Sequence, residues 1–263
     1  LDGSITDLVF GGATAAEGNA VSNNNPNKLG SSFNLFVRLS AGTAAAKLNY
    51  SVMNNTFRDA GGAAIEFDKQ AGLGDMLGTI SNNTVGVSGV PNSGSAQGSG
   101  IVTTIIGGGT HTTTVTNNTV YQFTNFGILV QGGGSSIANG GQGYMTAVVQ
   151  GNTISQPSPN SLLAGFPTIG IRLTVGTNSG DTTKFWLTIG GSGAAKNTVL
   201  LTGTNGGTDL RLQQRFNTFL GVNGYAGGTT DATAMQNYLL SQNTAGTALA
   251  STSSPNGWSG TQP

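Results

Sequence analysis

Cysteine is absent from these 263 residues, so neither a disulfide framework nor a thiolate metal site can hold the chain together. Histidine is nearly absent too: His111 is the sole imidazole, which excludes a multi-histidine metal centre within one chain. Charge is scarce, with 10 basic and 10 acidic residues and a formal net charge of zero. Such a chain cannot build a basic face of the kind that neutralises a nucleic-acid backbone or adheres to an anionic membrane. No apolar run nears the roughly 20 residues of a membrane helix, so neither a nucleic-acid partner nor a membrane-spanning segment is expected. Proline is limited to 7 residues and aromatics to 7%, while glycine reaches 44. Those glycines keep no Gly-X-Y period, which excludes collagen. The chain opens on Leu1 rather than Met, as expected for a piece of a longer protein.

What is present is an internal repeat. The tetrad Asn54-Asn55-Thr56-Phe57 returns as Asn82-Asn83-Thr84-Val85 and as Asn117-Asn118-Thr119-Val120. Weaker copies follow at Gly151-Asn152-Thr153-Ile154, Lys196-Asn197-Thr198-Val199 and Phe216-Asn217-Thr218-Phe219. Each clear copy is preceded by a strand-like alternation, so that Val52, Ile80, Val115, Val149 and Ile189 are expected to form one inward column. A second strand follows each copy, as in Ala64-Ile65-Glu66-Phe67, Gly127-Ile128-Leu129-Val130 and Gly170-Ile171-Arg172-Leu173. No helical pattern separates the strands, which disfavours a βαβ sheet. Strand, Asn corner, strand and variable loop describe one coil of a parallel β-solenoid, in which equivalent residues stack about 4.8 Å apart. The second asparagine of the tetrad, at 55, 83, 118, 152 and 197, is expected to form a ladder. Asn tolerates the left-handed backbone of a corner, and its amide can bond to the Asn one coil along. Asn54, Asn82 and Asn117 also fit the Asn-x-Thr glycosylation pattern, but the copies without that pattern keep the second Asn, so corner geometry explains the repeat better.

These corners and Gly-Ile-x-Leu strands resemble the right-handed parallel β-helix proteins of the pectin-lyase-like superfold, over about residues 5–220. The stretch Leu210-Arg211-Leu212-Gln213-Gln214-Arg215-Phe216-Asn217-Thr218, with Gly224-Tyr225-Ala226-Gly227 after it, is similar to the closing segment of large repetitive bacterial surface proteins. The resemblance implies an all-β, right-handed parallel β-helix of about six coils. The expected organisation is a β-helix over 1–222, a capping loop and helix over 223–243, and a polar C-terminal tail over 244–263. Thr230-Asp231 can cap the helix, and Ala234, Met235, Tyr238, Leu239 and Leu240 give it an apolar stripe. Function does not follow from the resemblance, because the superfold hosts lyases, hydrolases, tail fibres and adhesins alike.

The residues that could carry chemistry are few. Asp59, Glu66 and Asp68, with Arg58 and Lys69 nearby, are the carboxylate candidates for acid/base work or for a Ca²⁺ ion. No second carboxylate pair stacks above them, and the paired-aspartate and Gly-His-Gly motifs of the polygalacturonase relatives are missing. The outward columns of the second strands are expected to read Arg38, Glu66, Val102, Leu129, Arg172, Arg211 and then Ser40, Asp68, Thr104, Gln131, Thr174, Gln213. Arg172 and Arg211 thus become like-charge neighbours, relieved by an anion, by Asp209 or by solvent. Outward Val102 and Leu129 suggest cover from the loops at 86–99 and 131–143 or from a partner. Thr112, Thr114 and Thr116, with Thr79, Thr146 and Thr188, form a threonine face resembling those of ice-binding solenoids. Leu77, Val148, Gln150 and Trp186 interrupt it, and Trp186 could stack against a neutral glycan. His111 shares the parity of inward Val115. The glycine clusters at 107–109 and 132–134 match no phosphate-binding loop.

The expected function is a non-catalytic, extracellular or cell-surface module of a bacterial surface, matrix or filament protein. Its expected partners are copies of itself, the rest of a larger surface protein, or polysaccharide, and no cofactor beyond an optional Ca²⁺ is implied. The alternatives are a uronic-acid polysaccharide lyase and an ice- or glycan-binding protein.

Overall fold

In the computed structural model the described residues are 5–23, 32–40, 46–133, 142–159, 168–201 and 207–263. They wind into a parallel β-solenoid whose three faces are three parallel sheets. The first sheet stacks Ile5–Gly11, Lys47–Met53, Asp75–Ser81, Gly109–Thr116, Gly143–Gln150, Lys184–Ile189, Phe219–Val222 and Trp258–Ser259. The second stacks Ala20–Ser22, Thr56–Arg58, Thr84–Val85, Thr119–Val120, Thr153–Ser155, Thr198–Leu200 and Thr244–Ala245. The third stacks Leu35–Leu39, Ile65–Lys69, Ile101–Ile105, Phe126–Gly132, Ile169–Val175, Thr208–Gln214 and Ala248–Thr252. Every coil visits the sheets in this order, and each interior strand pairs with the equivalent strands of the coils before and after it. Alternation of side chains along each strand sends one parity into a thin common core. The expected column of Val52, Ile80, Val115, Val149 and Ile189 is in register and buried.

The corner between the first and second sheets is held by the asparagines, with a division of labour that the sequence did not reveal. The first residue of the tetrad takes the left-handed backbone: Asn54, Asn82 and Asn117 have φ near 60°, and Gly151 stands in their place with φ 67°. A Cβ on Gly151 would sit 2.2 Å from Asn117 Oδ1, so a side chain there would have to displace the Asn117 amide as well as adopt the left-handed φ. The second residue forms the ladder. Asn55, Asn83, Asn118 and Asn152 each donate a side-chain Nδ2–H to the Oδ1 of the asparagine one coil on, at 2.9–3.0 Å. The same Oδ1 accepts the backbone N–H of the donating asparagine at 3.0 Å. The remaining Nδ2–H goes back to a strand-end carbonyl one coil behind, Val52 for Asn83, Ile80 for Asn118 and Val115 for Asn152. Each interior amide therefore has both donors and both acceptor sites filled, which is its full capacity.

The ladder runs further than the five expected rungs. Asn19 donates to Asn55 Oδ1 from its backbone N–H at 2.8 Å and its side chain at 3.1 Å. At the other end Asn197 donates to Asn243 at 2.8 Å, and Asn243 donates to the Leu239 carbonyl. Asn217, by contrast, is not a rung. Phe216 takes φ 60° and Thr218 Oγ1 donates to the Arg215 carbonyl, making a turn that leads from the third sheet back to the first.

The last coil holds the other departures from expectation. The helix Ala232–Gln242 is N-capped by Asp231, which accepts from the Ala234 N–H at 2.9 Å. It is not the end of the fold: residues 244–263, expected as a polar tail, supply one further strand to each sheet. Seven three-strand coils result, against about six expected. Met235, Leu239 and Trp258 are fully buried in the core, so the helix packs across the end of the solenoid although the chain continues beyond it. The loop at 86–99 adds Ser95 to a stack between Ala60 and Phe123 at a second corner, whereas 134–141 lies outside the described residues.

The two tetrad positions should respond differently to mutation. Asn118→Ala leaves the Asn83 backbone and side-chain donors and the Ile80 carbonyl without partners in a buried site, and at about 1–3 kcal/mol for each orphaned group the variant should lose at least about 3 kcal/mol. Asn117→Gly, at the left-handed position, should change stability by under about 0.5 kcal/mol. Urea denaturation of the two variants measures both.

Candidate functional site

Four places gather polar or charged side chains: an acidic and a basic region of the third sheet's outer face, the threonine face of the first sheet, and one polar cluster inside the coil.

On the third sheet the register differs from expectation at its first strand. Arg38 pairs with Asp68 rather than Glu66, and Phe36 with Glu66, because Leu35–Leu39 sits two residues from the anticipated alignment. A two-residue slip preserves which side faces inward, so alternation alone could not expose it. The outer columns are Phe36, Glu66, Val102, Leu129, Arg172, Arg211, Leu249 and then Arg38, Asp68, Thr104, Gln131, Thr174, Gln213, Ser251. Asp68 is buried. It accepts from Arg38 Nε at 3.0 Å and from Thr104 Oγ1 at 2.7 Å. Half-buried Glu66 has its pKa raised by desolvation and secondarily by Asp68, with Arg38 opposing. Asp59 takes φ 61° at the edge of the second sheet, where its carboxylate accepts from Ser22 Oγ at 3.1 Å. Lys69 lies on the inward parity of its strand, fully buried, with Nζ donating to the Ala71 and Gly72 carbonyls at 2.6 and 2.9 Å. It therefore cannot serve as the basic partner of a cluster on the outer face. Glu66 and Asp68 share a face as expected, with Asp68 already engaged by Arg38 and Thr104.

The basic region holds the like-charge neighbours. Arg172 and Arg211 are directly in register. Arg172 is half-buried, with its guanidinium 5.0 Å from the Phe126 ring centre and an Nη2 donor 3.4 Å from Gln213 Oε1. Burial, then Arg211 and Arg215, push its pKa down. Asp209, the acid nearest in sequence, turns away to accept the backbone N–H groups of Leu201, Gly246 and Thr247 at 2.7–3.0 Å.

On the first sheet, Thr112 stands between Leu77 and Thr146 with Trp186 beyond, and Thr114 between Thr79 and Val148 with Thr188 beyond. The threonine columns are present but broken, as the sequence indicated. A shallow groove of about 390 Å³ opens beside them, lined by Lys47, Asn49, Asp75, Leu77, Thr110 and Thr112. Trp186 does not share it. Its ring lies over Gly221, where a Cβ would come within 2.5 Å of the indole.

Inside the coil, His111 is fully buried. Its Nδ1 is 2.8 Å from the Thr104 carbonyl, and because a carbonyl only accepts, that nitrogen carries the proton. Nε2 then faces the Tyr50 hydroxyl at 3.1 Å, which is also 2.8 Å from Thr113 Oγ1. The Tyr50 ring stacks on Phe67, with centroids 3.9 Å apart, and lies against Gly78, where a Cβ would meet it at 2.4 Å. The inward parity of His111 was legible in the sequence. Its union with Tyr50 was not, since it depends on a glycine in the coil between them. Among the described residues no group of three or more His, Cys, Asp or Glu side chains is placed to hold a metal ion.

Burial depresses the His111 pKa from its ordinary 6.5 to about 4. The unfolded chain takes up a proton near 6.5 while the folded protein does not, so stability is complete above that range and declines as the pH falls toward 4. The full difference is on the order of 3 kcal/mol. His111→Gln should remove this part of the slope, visible as a smaller stability difference between about pH 7 and about pH 4.5 in paired denaturation curves.

No protein-family model, curated protein or solved structure gives a significant match to this chain.

Proposed function

We propose that this chain is a non-catalytic, extracellular β-helix module of a bacterial surface, matrix or filament protein, and that it docks through its N-terminal end. The observation that carries this is the difference between the two ends of the solenoid. At the C-terminal end the helix Ala232–Gln242 buries Met235 and Leu239 completely, and Trp258 is sealed in with its Nε1–H donating to the Gly228 carbonyl at 3.1 Å. At the N-terminal end the inward residues Leu8, Phe10, Val21, Leu35 and Val37 are only half-buried. Their partners one coil on, Tyr50, Val52, Phe57, Ile65 and Phe67, are at most 4% exposed.

Among the described residues, the strands Ile5–Gly11, Ala20–Ser22 and Leu35–Leu39 each have a neighbour on one side only. Unpaired parallel edges above an open apolar mouth invite another chain, and solenoids ordinarily cover such ends. A helix covers one end here and half-buried apolar side chains line the first described coil, so that coil is the surface offered to a further chain, and for this chain alone in solution a second copy fills it about a two-fold axis. The near-neutral Asn-, Thr- and Gly-rich composition suits a surface filament component, whose stability rests on repeated hydrogen bonds.

Light scattering over a wide concentration range tests this. The protein should approach twice its 26.3 kDa monomer mass as concentration rises. Val37→Lys, at the open mouth, should hold it monomeric, while Leu249→Lys on the last strand should not. A monomer at every concentration, or equal loss of association in both variants, contradicts docking through the N-terminal end.

A further inference from the structure

Two asparagine–glycine steps stand among the described residues, Asn223-Gly224 and Asn256-Gly257, and both sit in turns of the last coils. At such a step the chain can attack its own side chain, because the glycine has no Cβ to shield its backbone nitrogen from the neighbouring amide carbon. Three local conditions decide whether it does: the exposure of the step, the hold on the asparagine amide, and whether the glycine N–H is already committed to a hydrogen bond.

Asn223-Gly224 meets all three. Both residues are exposed. They are the central pair of a turn that the Tyr225 N–H closes onto the Val222 carbonyl at 3.1 Å. Gly224 takes φ 80°, the left-handed value required at the third position of a type II turn. A nitrogen there lies outside the bond that closes the turn, and among the described residues the Gly224 N–H has no hydrogen-bond partner. The Asn223 side chain is held by one long bond, from Nδ2 to Thr188 Oγ1 at 3.3 Å. The backbone on either side is nonetheless anchored. The Asn223 N–H donates to the Leu187 carbonyl at 2.8 Å, and the Asn223 carbonyl accepts the Tyr238 hydroxyl from the capping helix.

Asn256-Gly257 is the opposite case. Gly257 is buried, and its N–H is the donor that closes the turn, onto the Ser254 carbonyl at 3.2 Å. The Asn256 amide donates to the Asn217 and Thr218 carbonyls at 3.1 and 3.2 Å. One chain thus carries a free step and a protected one.

We infer that Asn223 is a self-modification site, at which the chain deamidates through a succinimide closed by Gly224. The Gly224 nitrogen gives up its proton to base and bonds to Asn223 Cγ. The bond from Cγ to the side-chain nitrogen breaks, and ammonia departs carrying a proton in place of the one given up. One water molecule then opens the imide ring. Opening at Cγ leaves an aspartate; opening at the main-chain carbonyl leaves an isoaspartate, with one more carbon in the backbone. Either product adds a negative charge. The isoaspartate also converts the carbonyl that Tyr238 binds into a free carboxylate and lengthens the link between Phe219–Val222 and the helix Ala232–Gln242. Ageing at this step therefore loosens the seal at the C-terminal end.

The test incubates the whole folded chain at mildly alkaline pH and follows it by mass spectrometry of chymotryptic peptides. Cleavage after Tyr225 and Tyr238 places Asn223 and Asn256 on separate peptides, apart from Asn139 and Asn205, whose Asn-Gly steps lie outside the described residues. The Asn223 peptide should lose ammonia and then gain about 1 Da over its starting mass, at least tenfold faster than the Asn256 peptide. In urea, where both turns are lost, the two rates should converge. Aged wild-type protein should unfold at a lower Tm than fresh protein, and Asn223→Gln should keep its fresh Tm through the same incubation. Equal rates at the two steps in the folded chain, or an Asn223 rate that folding slows tenfold, would overturn the proposal. A fall in Tm as large in aged Asn223→Gln as in aged wild type would overturn the link to the helix.

Discussion

A solenoid this thin must satisfy its backbone and polar groups at the corners, where the strand ladders stop. The asparagine column from Asn19 to Asn243 meets that constraint at the corner between the first and second sheets. Each interior rung fills both donors and both acceptor positions of its amide, accepting the side-chain and backbone N–H of the asparagine one coil behind and donating to the next asparagine and to a carbonyl one coil behind. The side-chain bonds all run in one direction along the axis, so the amide dipoles align and reinforce each other in a dry environment. Register follows from the same bonds. A coil displaced by one residue would lose its rung and turn its apolar face outward together. The column also ends on the helix, through the Leu239 carbonyl, so the closed end and the repeating body are joined by one continuous network.

Much of this was legible in the sequence because a stacked coil converts spatial repetition into textual repetition. The Asn-Asn-Thr tetrads, the inward valine and isoleucine column and the Arg172–Arg211 neighbourhood all follow from aligning the repeats. What the text hid has physical reasons. Asn19 was missed because Ala20 follows it in place of threonine. Asn243 was missed because it closes a helix, although Asn243-Thr244 repeats the tetrad's core. The two asparagines of the tetrad were conflated because both suit a corner, yet φ near 60° belongs to the first and the amide ladder to the second. Arg38 was set two residues out of register because alternation has period two and cannot distinguish a slip of two. The last coil reads as a tail in the sequence because Thr244–Ala245 and Trp258–Ser259 are only two residues each, too short to show a strand's alternation.

The candidate sites were less legible than the fold, and for one reason. Composition reports a chain of zero net charge, but the winding separates the signs, with most carboxylates in the early coils and the arginine cluster in the late ones. Asp68 is held by Arg38 and Thr104, so it contributes to the fold whatever else it does. The buried Tyr50–His111 pair depends on Gly78 in the coil between them, a relation that no spacing in the sequence announces. The arginines differ from these groups in that their charge has no partner within the described protein.

The central claim, that one buried amide column organises the coil, is tested most directly by hydrogen exchange of asparagine side-chain amides resolved by NMR. The account predicts strong and similar protection for Asn83, Asn118, Asn152 and Asn197, with rapid exchange for the exposed Asn82 and Asn117. Equal, rapid exchange at all six would mean that the column does not hold in solution, and the register of every face described above would lose its foundation.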